Sequence, residues 1–233
     1  MSAKIDDILA AACRHCDEVI RPGVDGWNAA RKWPRAASDK AAALGLLGLY
    51  APAEWGGQGL SLGDGIRVYE ELGKGDGAYA FALSMHNICT FAVCGFGSEA
   101  LKRDWARDLT TGRKLANFSL TEPQSGSDAS TMYSKARING DGTWTINGAK
   151  AWVSLAGEAD IYLTVVKTSD APGHKDMAMI AIPKGTKGFS FGPLYDTPSY
   201  SFLPMGEMHL DDVVVPEANI ILPVGKGLQG SLM

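Results

Sequence analysis

Residues 118–128 read Phe118-Ser119-Leu120-Thr121-Glu122-Pro123-Gln124-Ser125-Gly126-Ser127-Asp128, and a second segment further on reads Lys150-Ala151-Trp152-Val153-Ser154. The first joins an extended run carrying a hydroxyl, Thr121, to a turn broken by proline and rich in Gly and Ser. Such a turn leaves several backbone N–H groups together, a nest able to hold an anion without help from a helix dipole. The second segment adds an aromatic wall, Trp152, and another hydroxyl, Ser154. Two residues apart on a strand, they share one face by its period, so one flat ring could lie along both. A hydroxyl and a backbone edge for the rim of a planar ring, followed by a nest for its phosphates, is the chemistry these residues offer.

Together the two segments resemble the acyl-CoA dehydrogenase family, whose flavin-binding motif reads closely as aromatic-x-hydrophobic-Thr-Glu-Pro-x-x-Gly-Ser-Asp with a later Trp-hydrophobic-Thr/Ser. The resemblance runs the length of the chain. Glu54-Trp55-Gly56-Gly57-Gln58-Gly59-Leu60 matches the family's Gly-Gly-x-Gly loop, and Phe96-Gly97-Ser98-Glu99 through Lys102 and Gly112 matches the stretch leading into the flavin strand. Leu210-Asp211-Asp212-Val213-Val214-Val215-Pro216 resembles the strand closing the middle domain, and Gly225-Lys226-Gly227 the approach to the last domain.

The resemblance implies FAD as cofactor, bound by Phe118, Leu120, Thr121, Gly126, Ser127, Trp152, Val153 and Ser154. Leu120 and Thr121 would bond the pyrimidine side of the isoalloxazine. Ser127 would serve the pyrophosphate or the acyl-CoA entrance, and so the substrate too. The Ser154 hydroxyl would lie near flavin N5, the atom that receives the hydride. Phe118 stands where many relatives have Tyr, so its contact would be apolar or through the backbone. Glu122 and Asp128, a tempting acid/base pair, become groups that shape the turn.

Composition bounds the alternatives. The 233 residues, 45% of them apolar, suffice for two ordinary domains with a sizeable core. Lys and Arg number 22 against 26 Asp and Glu, a net charge of −4 without a basic stripe, which argues against nucleic acid. No run approaches the apolar length of a membrane span, and the N-terminus opens on an amphipathic pattern rather than a cleavable leader. The expectation is a cytoplasmic protein without a membrane span.

Cys13-Arg14-His15-Cys16 is a C-x-x-C, and Cys89 and Cys94 lie near His86, but zinc sites read from sequence usually show two well-spaced ligand pairs. No metal is expected. Cys13 and Cys16 fall near the apolar face marked by Ile5, Leu9, Ala12, Val19 and Ile20, and free Cys is among the most buried residue types, so reduced core thiols are expected. His86, on an apolar helix, reads as a satisfied core histidine rather than a pocket residue. Gly56, Gly57 and Gly59 read as a tight loop needing unusual φ, since no strand-then-helix context surrounds them.

The apolar period is helical up to about Thr110. It predicts a first helix over Ile5–Ile20, a second over Ala36–Leu47, one after Ser61-Leu62-Gly63-Asp64 as a loose capping box, a buried helix over Ala78–Val93, and a last one striped by Leu101, Trp105 and Leu109. After Leu115 the period is two. Strands are predicted over Lys135–Ile138, Thr143–Ile146, Ala149–Ser154, Asp160–Thr168, Met177–Ile182, Phe189–Gly192 and Met208–Val215. Turns are placed at Asn139-Gly140-Asp141-Gly142, at Asn147-Gly148 and at Leu155-Ala156-Gly157, Asn-Gly being the strongest short hairpin signal.

The predicted fold is α+β and multidomain. It has an all-α N-terminal domain (residues 1–115), an antiparallel β-barrel or sandwich middle domain (116–224) that binds the flavin, and at 225–233 the start of a truncated C-terminal helical domain. The resemblance implies α,β-dehydrogenation of an acyl-CoA or acyl-carrier thioester, electrons passing to an electron-transfer flavoprotein or similar acceptor, and a homo-oligomer, a tetramer at full length. The family's catalytic carboxylate belongs to the C-terminal bundle, about 100–150 residues expected to be missing here by truncation or supplied by a partner chain. No catalytic residue is therefore expected in this chain, which alone would be inactive. The alternatives are a non-catalytic acyl-CoA or flavin-binding module, or another flavoenzyme on the scaffold: an acyl-CoA oxidase, a carrier-protein-linked acyl dehydrogenase or a flavin-dependent hydroxylase.

Overall fold

The computed structural model describes residues 2–171 and 173–231. The chain forms two compact units. One is helical and comprises the residues up to Gly95, Arg103–Ala116 and Asp196–Pro204; the other is built on a sheet from Phe96–Lys102, Asn117–Tyr195 and the residues from Met205 on.

The first helix, α1 (Ser2–His15), buries the stripe Ile5, Ile8 and Ala12. It does not end at Ile20 as the sequence suggests. A π turn over Cys16–Ile20 carries it directly into α2 (Arg21–Ala30), and the wider turn, in which Arg21 N–H reaches back to Cys16 O, makes room for the ring of Pro22. Cys16, Cys89 and Cys94 are buried thiols, whereas Cys13 is exposed with its Sγ 3.2 Å from Glu71 Oε2. One of the four expected core thiols thus lies outside, on the edge of the helix's apolar stripe.

Helix α3 (Arg35–Ala43) stops short of the predicted Leu47. Gly45 adopts φ +74°, and Leu46–Ala51 continues as a buried segment of turns and bends. Its unsatisfied backbone groups are met by Asn87, whose Oδ1 accepts from Leu49 N–H at 2.9 Å and whose Nδ2 donates to Leu46 O at 2.9 Å. The Gly56–Gly59 loop folds back on this segment, as expected of a tight loop: a Cβ on Gly57 would sit 2.1 Å from Ala51 O.

Helix α4 (Leu62–Gly73) opens with the predicted cap, Ser61 Oγ accepting from Asp64 N–H at 3.1 Å. Helix α5 (Gly77–Phe96) carries no charged residue and is, against the expectation from the sequence, long and apolar enough to cross a membrane; more than half of it is buried in protein instead. Its polar residues are all used inside. His86 Nδ1 accepts from Ala116 N–H at 3.0 Å, so Nε2 carries the proton, which it shares between Leu47 O and Leu109 O at 3.1 Å each. This one ring ties α5 to the buried loop, to the end of α6 (Glu99–Thr110) and to the start of the chain's first strand. His86 is the satisfied core histidine the sequence suggested.

A second buried cluster stacks Trp33 on Tyr79, ring centroids 5.6 Å apart, with Trp27 edge-on to Phe202 at 5.6 Å. Phe202 comes from Asp196–Pro204, a segment between two strands of the sheet that belongs to the helical unit.

The sheet strands are β1 (Ala116–Ser119), β2 (Lys135–Ile138), β3 (Thr143–Ser154), β4 (Ile161–Lys167), β5 (Met177–Pro183), β6 (Phe189–Leu194), β7 (Met205–Pro216) and β8 (Ile220–Leu222), with a short helix α7 (Gly227–Ser231) after them. Their order is β6-β7-β3-β2-β4-β5-β8, with β1 paired to β4. The helical part followed by a sheet matches the expectation. The sheet itself is open rather than a closed barrel, and mixed, since β2 meets β4 in parallel.

Asn147-Gly148 is not a turn. Residues 143–154 form one strand, and at this point its partner β7 carries the extra residue: Ile146 faces Val213 while Gly148 faces Leu210. The bulge is clasped by Asp212 N–H donating to Asn147 Oδ1 at 2.8 Å and Asn147 Nδ2 donating to Asp212 Oδ1 at 2.9 Å. Gly148 is needed for space, since a Cβ there would lie 2.3 Å from Ser134 Oγ.

Gly148→Ala is therefore expected to cost about 1–3 kcal/mol through overpacking, while Gly95→Ala, at a position of α5 with nothing within 4 Å of the new Cβ, should gain about 0.5–1 kcal/mol. Urea denaturation of both variants decides it. Burial holds the His86 imidazole down at about 4 against an ordinary 6.5. A histidine so depressed contributes stability above its unfolded pKa and loses it as the pH falls, so stability should drop between pH 6.5 and about 4, by about 3 kcal/mol from this group. His86→Gln lowers stability at neutral pH but should flatten that window in urea midpoints measured against pH.

Candidate functional site

The two motif segments meet within the sheet unit. Strand β1 ends at Ser119, and the next two residues are fastened to β3: Ala151 N–H donates to Thr121 O at 2.8 Å, and Lys150 Nζ donates to Leu120 O at 3.1 Å. The tie is reinforced by an ion pair, Lys150 Nζ to Glu122 Oε1 at 2.7 Å, between side chains 0% and 1% exposed. The remaining capacity of the Glu122 carboxylate caps backbone across the turn, accepting from Tyr133 N–H at 2.6 Å and Ser134 N–H at 3.0 Å, and Gln124 Nε2 donates to it at 2.7 Å. Burial drives the Lys150 ammonium down to about 8, with Glu122 working against that. Burial alone would raise the Glu122 carboxyl, but the charge of Lys150 and the hydrogen bonds from Lys150, Ser134 and Tyr133 outweigh it and hold the group below the usual carboxylate range.

Pro123 and Gln124 form the corner of a tight turn in which Glu122 N–H donates to Ser125 O at 2.9 Å and Ser125 N–H to Glu122 O at 3.1 Å. Asp128 caps the following single turn of 3₁₀ helix through Ser130 N–H at 3.0 Å. Both acids thus shape the turn, as the sequence suggested.

The corner leaves Gly126 and Ser127 exposed. Among the described residues nothing accepts from the N–H groups of Thr121, Gly126 or Ser127. Gly126 has only open space where a Cβ would be, so a ligand can approach its backbone closely.

Trp152 sits on a second bulge. Lys150 faces Met208 and Val153 faces Gly206, so Ala151 and Trp152 together stand opposite Glu207, with Trp152 in the left-handed region at φ +58°. A non-glycine residue there is a local strain that surrounding structure must hold, and bulges of this kind re-aim a side chain. Here the indole is turned outward, 59% exposed, its ring 4.5 Å from that of Tyr195.

The bulge also corrects the face assignment. The period of two does not run through it: Trp152 is on the surface while Ser154 is 6% exposed and Val153 is 1% exposed in the core. Val153 can reach a ligand only through its backbone. Ser154 precedes a turn fixed by Tyr162, whose hydroxyl donates to Leu155 O at 2.7 Å. Phe118, Leu120 and Thr121 are half-buried along the exit of β1.

Hydrogen bonds connect Leu120 and Thr121 directly to Lys150 and Ala151, the two residues before Trp152, and Gly126 and Ser127 follow in sequence from the Glu122–Ser125 turn held by the same ion pair. Sequence reasoning passed over Lys150; its signal was a lysine between two alanines in a strand otherwise rich in apolar residues, with an unexplained acid upstream.

An outward flat indole, an unpartnered amide beside it and a nest of free N–H groups make a platform with a hydrogen-bonding edge and an anion seat. Such a set fits a flavin dinucleotide: ring-edge acceptors for Thr121 N–H, an aromatic wall in Trp152, pyrophosphate oxygens for Gly126 and Ser127.

Known proteins match the chain in sequence and fold. The description "Acyl-CoA dehydrogenase, N-terminal domain" fits residues 2–113 and "Acyl-CoA dehydrogenase, middle domain" residues 117–213. Isobutyryl-CoA dehydrogenase of Dictyostelium discoideum is 32% identical over 210 residues, 90% of this chain and 50% of that protein. The solved butyryl-CoA dehydrogenase of Megasphaera elsdenii superposes with a TM-score of 0.91 at 31% identity, over 98% of this chain and 61% of its own. A glutaryl-CoA dehydrogenase of Mycobacterium smegmatis, solved in complex with FADH2, gives a TM-score of 0.88 at 27% identity, over 98% of this chain and 57% of its own. The chain thus spans about half to three fifths of the length of the proteins it matches. With both of its units accounted for by consecutive domains of one family, the chain belongs to the acyl-CoA dehydrogenases.

Proposed function

We propose that the platform holds FAD and that the protein serves the α,β-dehydrogenation of an acyl thioester. The observation that carries this is the unpartnered Thr121 N–H beside an outward Trp152, two groups tied together by the Thr121–Ala151 hydrogen bond. The solved relative with FADH2 supports the same cofactor. Bound FAD would supply the two-electron acceptor for the hydrogen leaving the β-carbon.

What this chain's residues contribute is placement. Thr121 offers its amide and hydroxyl to the ring edge, Trp152 covers a face of the ring, and Gly126 and Ser127 receive the pyrophosphate, with Ser127 also at the acyl-CoA entrance. Phe118 and Val153 contribute an apolar rim and a backbone edge, and the Ser154 hydroxyl, turned inward by the bulge, would serve N5 from the buried side rather than along the face that Trp152 presents. Fixed donors of this kind are worth most where charge develops during reaction.

Glu122 is committed to Lys150 and to backbone N–H groups, and Asp128 to its cap. Neither is free to remove the α-proton, in keeping with the family resemblance, which implies a base outside the two domains matched here. An electron-transfer flavoprotein is the acceptor that suits such chemistry, and the working form is a homo-oligomer. The whole protein, assayed against a panel of acyl thioesters with an artificial electron acceptor, should oxidise at least one; flavin reduction by none of them would overturn the reaction assignment.

Thr121→Val and Ser154→Ala should each weaken FAD retention or shift the flavin spectrum, a lost hydrogen bond being worth about 0.5–1.5 kcal/mol, while apoprotein melting changes little. Unchanged flavin affinity with lowered apoprotein stability would make both residues structural. Trp152 fluorescence should be quenched on FAD binding. Comparing titrations of the native protein and Trp152→Phe isolates this indole among the six tryptophans, and equal quenching in both would remove Trp152 from the site.

A further inference from the structure

We propose that the buried Glu122–Lys150 pair is a positioning device for the bound flavin, beyond any part it plays in holding the sheet together. The inference rests on the flavin reading above and concerns residues that make no contact with the ring.

The geometry behind it is one peptide plane. The Leu120 carbonyl and the Thr121 N–H belong to the same planar group and point in opposite directions. Lys150 Nζ holds that carbonyl at 3.1 Å, so the ammonium decides where the Thr121 N–H, the unpartnered donor of the platform, is aimed. The next carbonyl, that of Thr121, is taken by Ala151 N–H, and the next amide, that of Glu122, by Ser125 O. The groups on either side of it along the chain, the Thr121 carbonyl and the Glu122 amide, are thereby occupied, and the Thr121 N–H is left free for the ring.

Glu122 extends the same control to the phosphate end. Its carboxylate holds Lys150 on one side and Tyr133 and Ser134 N–H on the other, closing the loop that carries Gly126 and Ser127. A methionine or leucine in place of Lys150 could fill the volume but could not hold the Leu120 carbonyl.

The test separates folding from flavin binding. Breaking a buried ion pair on one side is strongly destabilising, whereas replacing both partners by neutral groups of similar shape is often close to neutral. Glu122→Gln and Lys150→Met should each lower the melting temperature of the apoprotein, and the double variant should recover most of the loss. If the pair positions the flavin, the double variant should still bind FAD about tenfold more weakly, the worth of a hydrogen bond to a charged group, with a shifted absorption band and altered visible circular dichroism of the bound flavin. Recovery of both melting temperature and native FAD affinity and spectrum would overturn the proposal and leave the pair purely structural. Should the double variant not fold, Glu122→Asp carries the same test, since it keeps the charge but withdraws the carboxylate by one methylene; native FAD affinity and spectrum in that variant would equally overturn it. Absence of FAD binding by the native protein in the same titration would instead sink the flavin reading, and this proposal with it.

Discussion

A lysine ammonium and a glutamate carboxylate, both out of reach of water, lie where the two motif segments meet. Taking two charges out of water is costly, and the cost is recovered only if geometry is good and the remaining lone pairs and protons are satisfied. Here they are: the carboxylate accepts from the ammonium, two backbone amides and an amide side chain, and the ammonium also holds the Leu120 carbonyl. The exit of β1, the turn through Pro123 and the bulged middle of β3 have their relative places because of this pair. A purely apolar contact would be non-directional and would allow them to slip.

The second constraint is the bulge at Trp152. A strand of regular period would have put Trp152 and Ser154 on one face, and the left-handed residue breaks that relation. The indole is thereby freed for the surface while Val153 and Ser154 go inward. The tilted ring contact with Tyr195 and the Thr121–Ala151 bond hold the distorted backbone from both sides, which is how a locally unfavourable conformation persists.

What could be read from the chain beforehand was local. The Ser61 cap, the Asn139–Gly142 turn, the buried character of α5 and the resemblance of the two motif segments each depend on neighbours a few residues apart. The misread features depend on distant ones. Asn147-Gly148 has every mark of a hairpin until Asp212 is seen bonding the asparagine and Ser134 filling the space above the glycine. Lys150 has no meaning apart from Glu122, and the length of α3 is settled by Asn87 satisfying the loop after it. For the candidate site, residue types were legible and orientation was not. Orientation comes from bulges and long-range polar pairs that leave no periodic trace.

The aromatic cluster of the helical unit carries a consequence for how the protein comes into being. Trp33 and Tyr79 are made early, but Phe202, which closes the cluster, is separated from them by the greater part of the sheet sequence. On the ribosome the sides of Trp27 and Trp33 that Phe202 packs against therefore stay open until Phe202 has been synthesised. Contacts of such wide sequence separation slow folding, and uncovered aromatic surface during the delay favours association between nascent chains. A boundary drawn after the last N-terminal helix would yield a piece that is contiguous in sequence yet lacks a wedge of its own core.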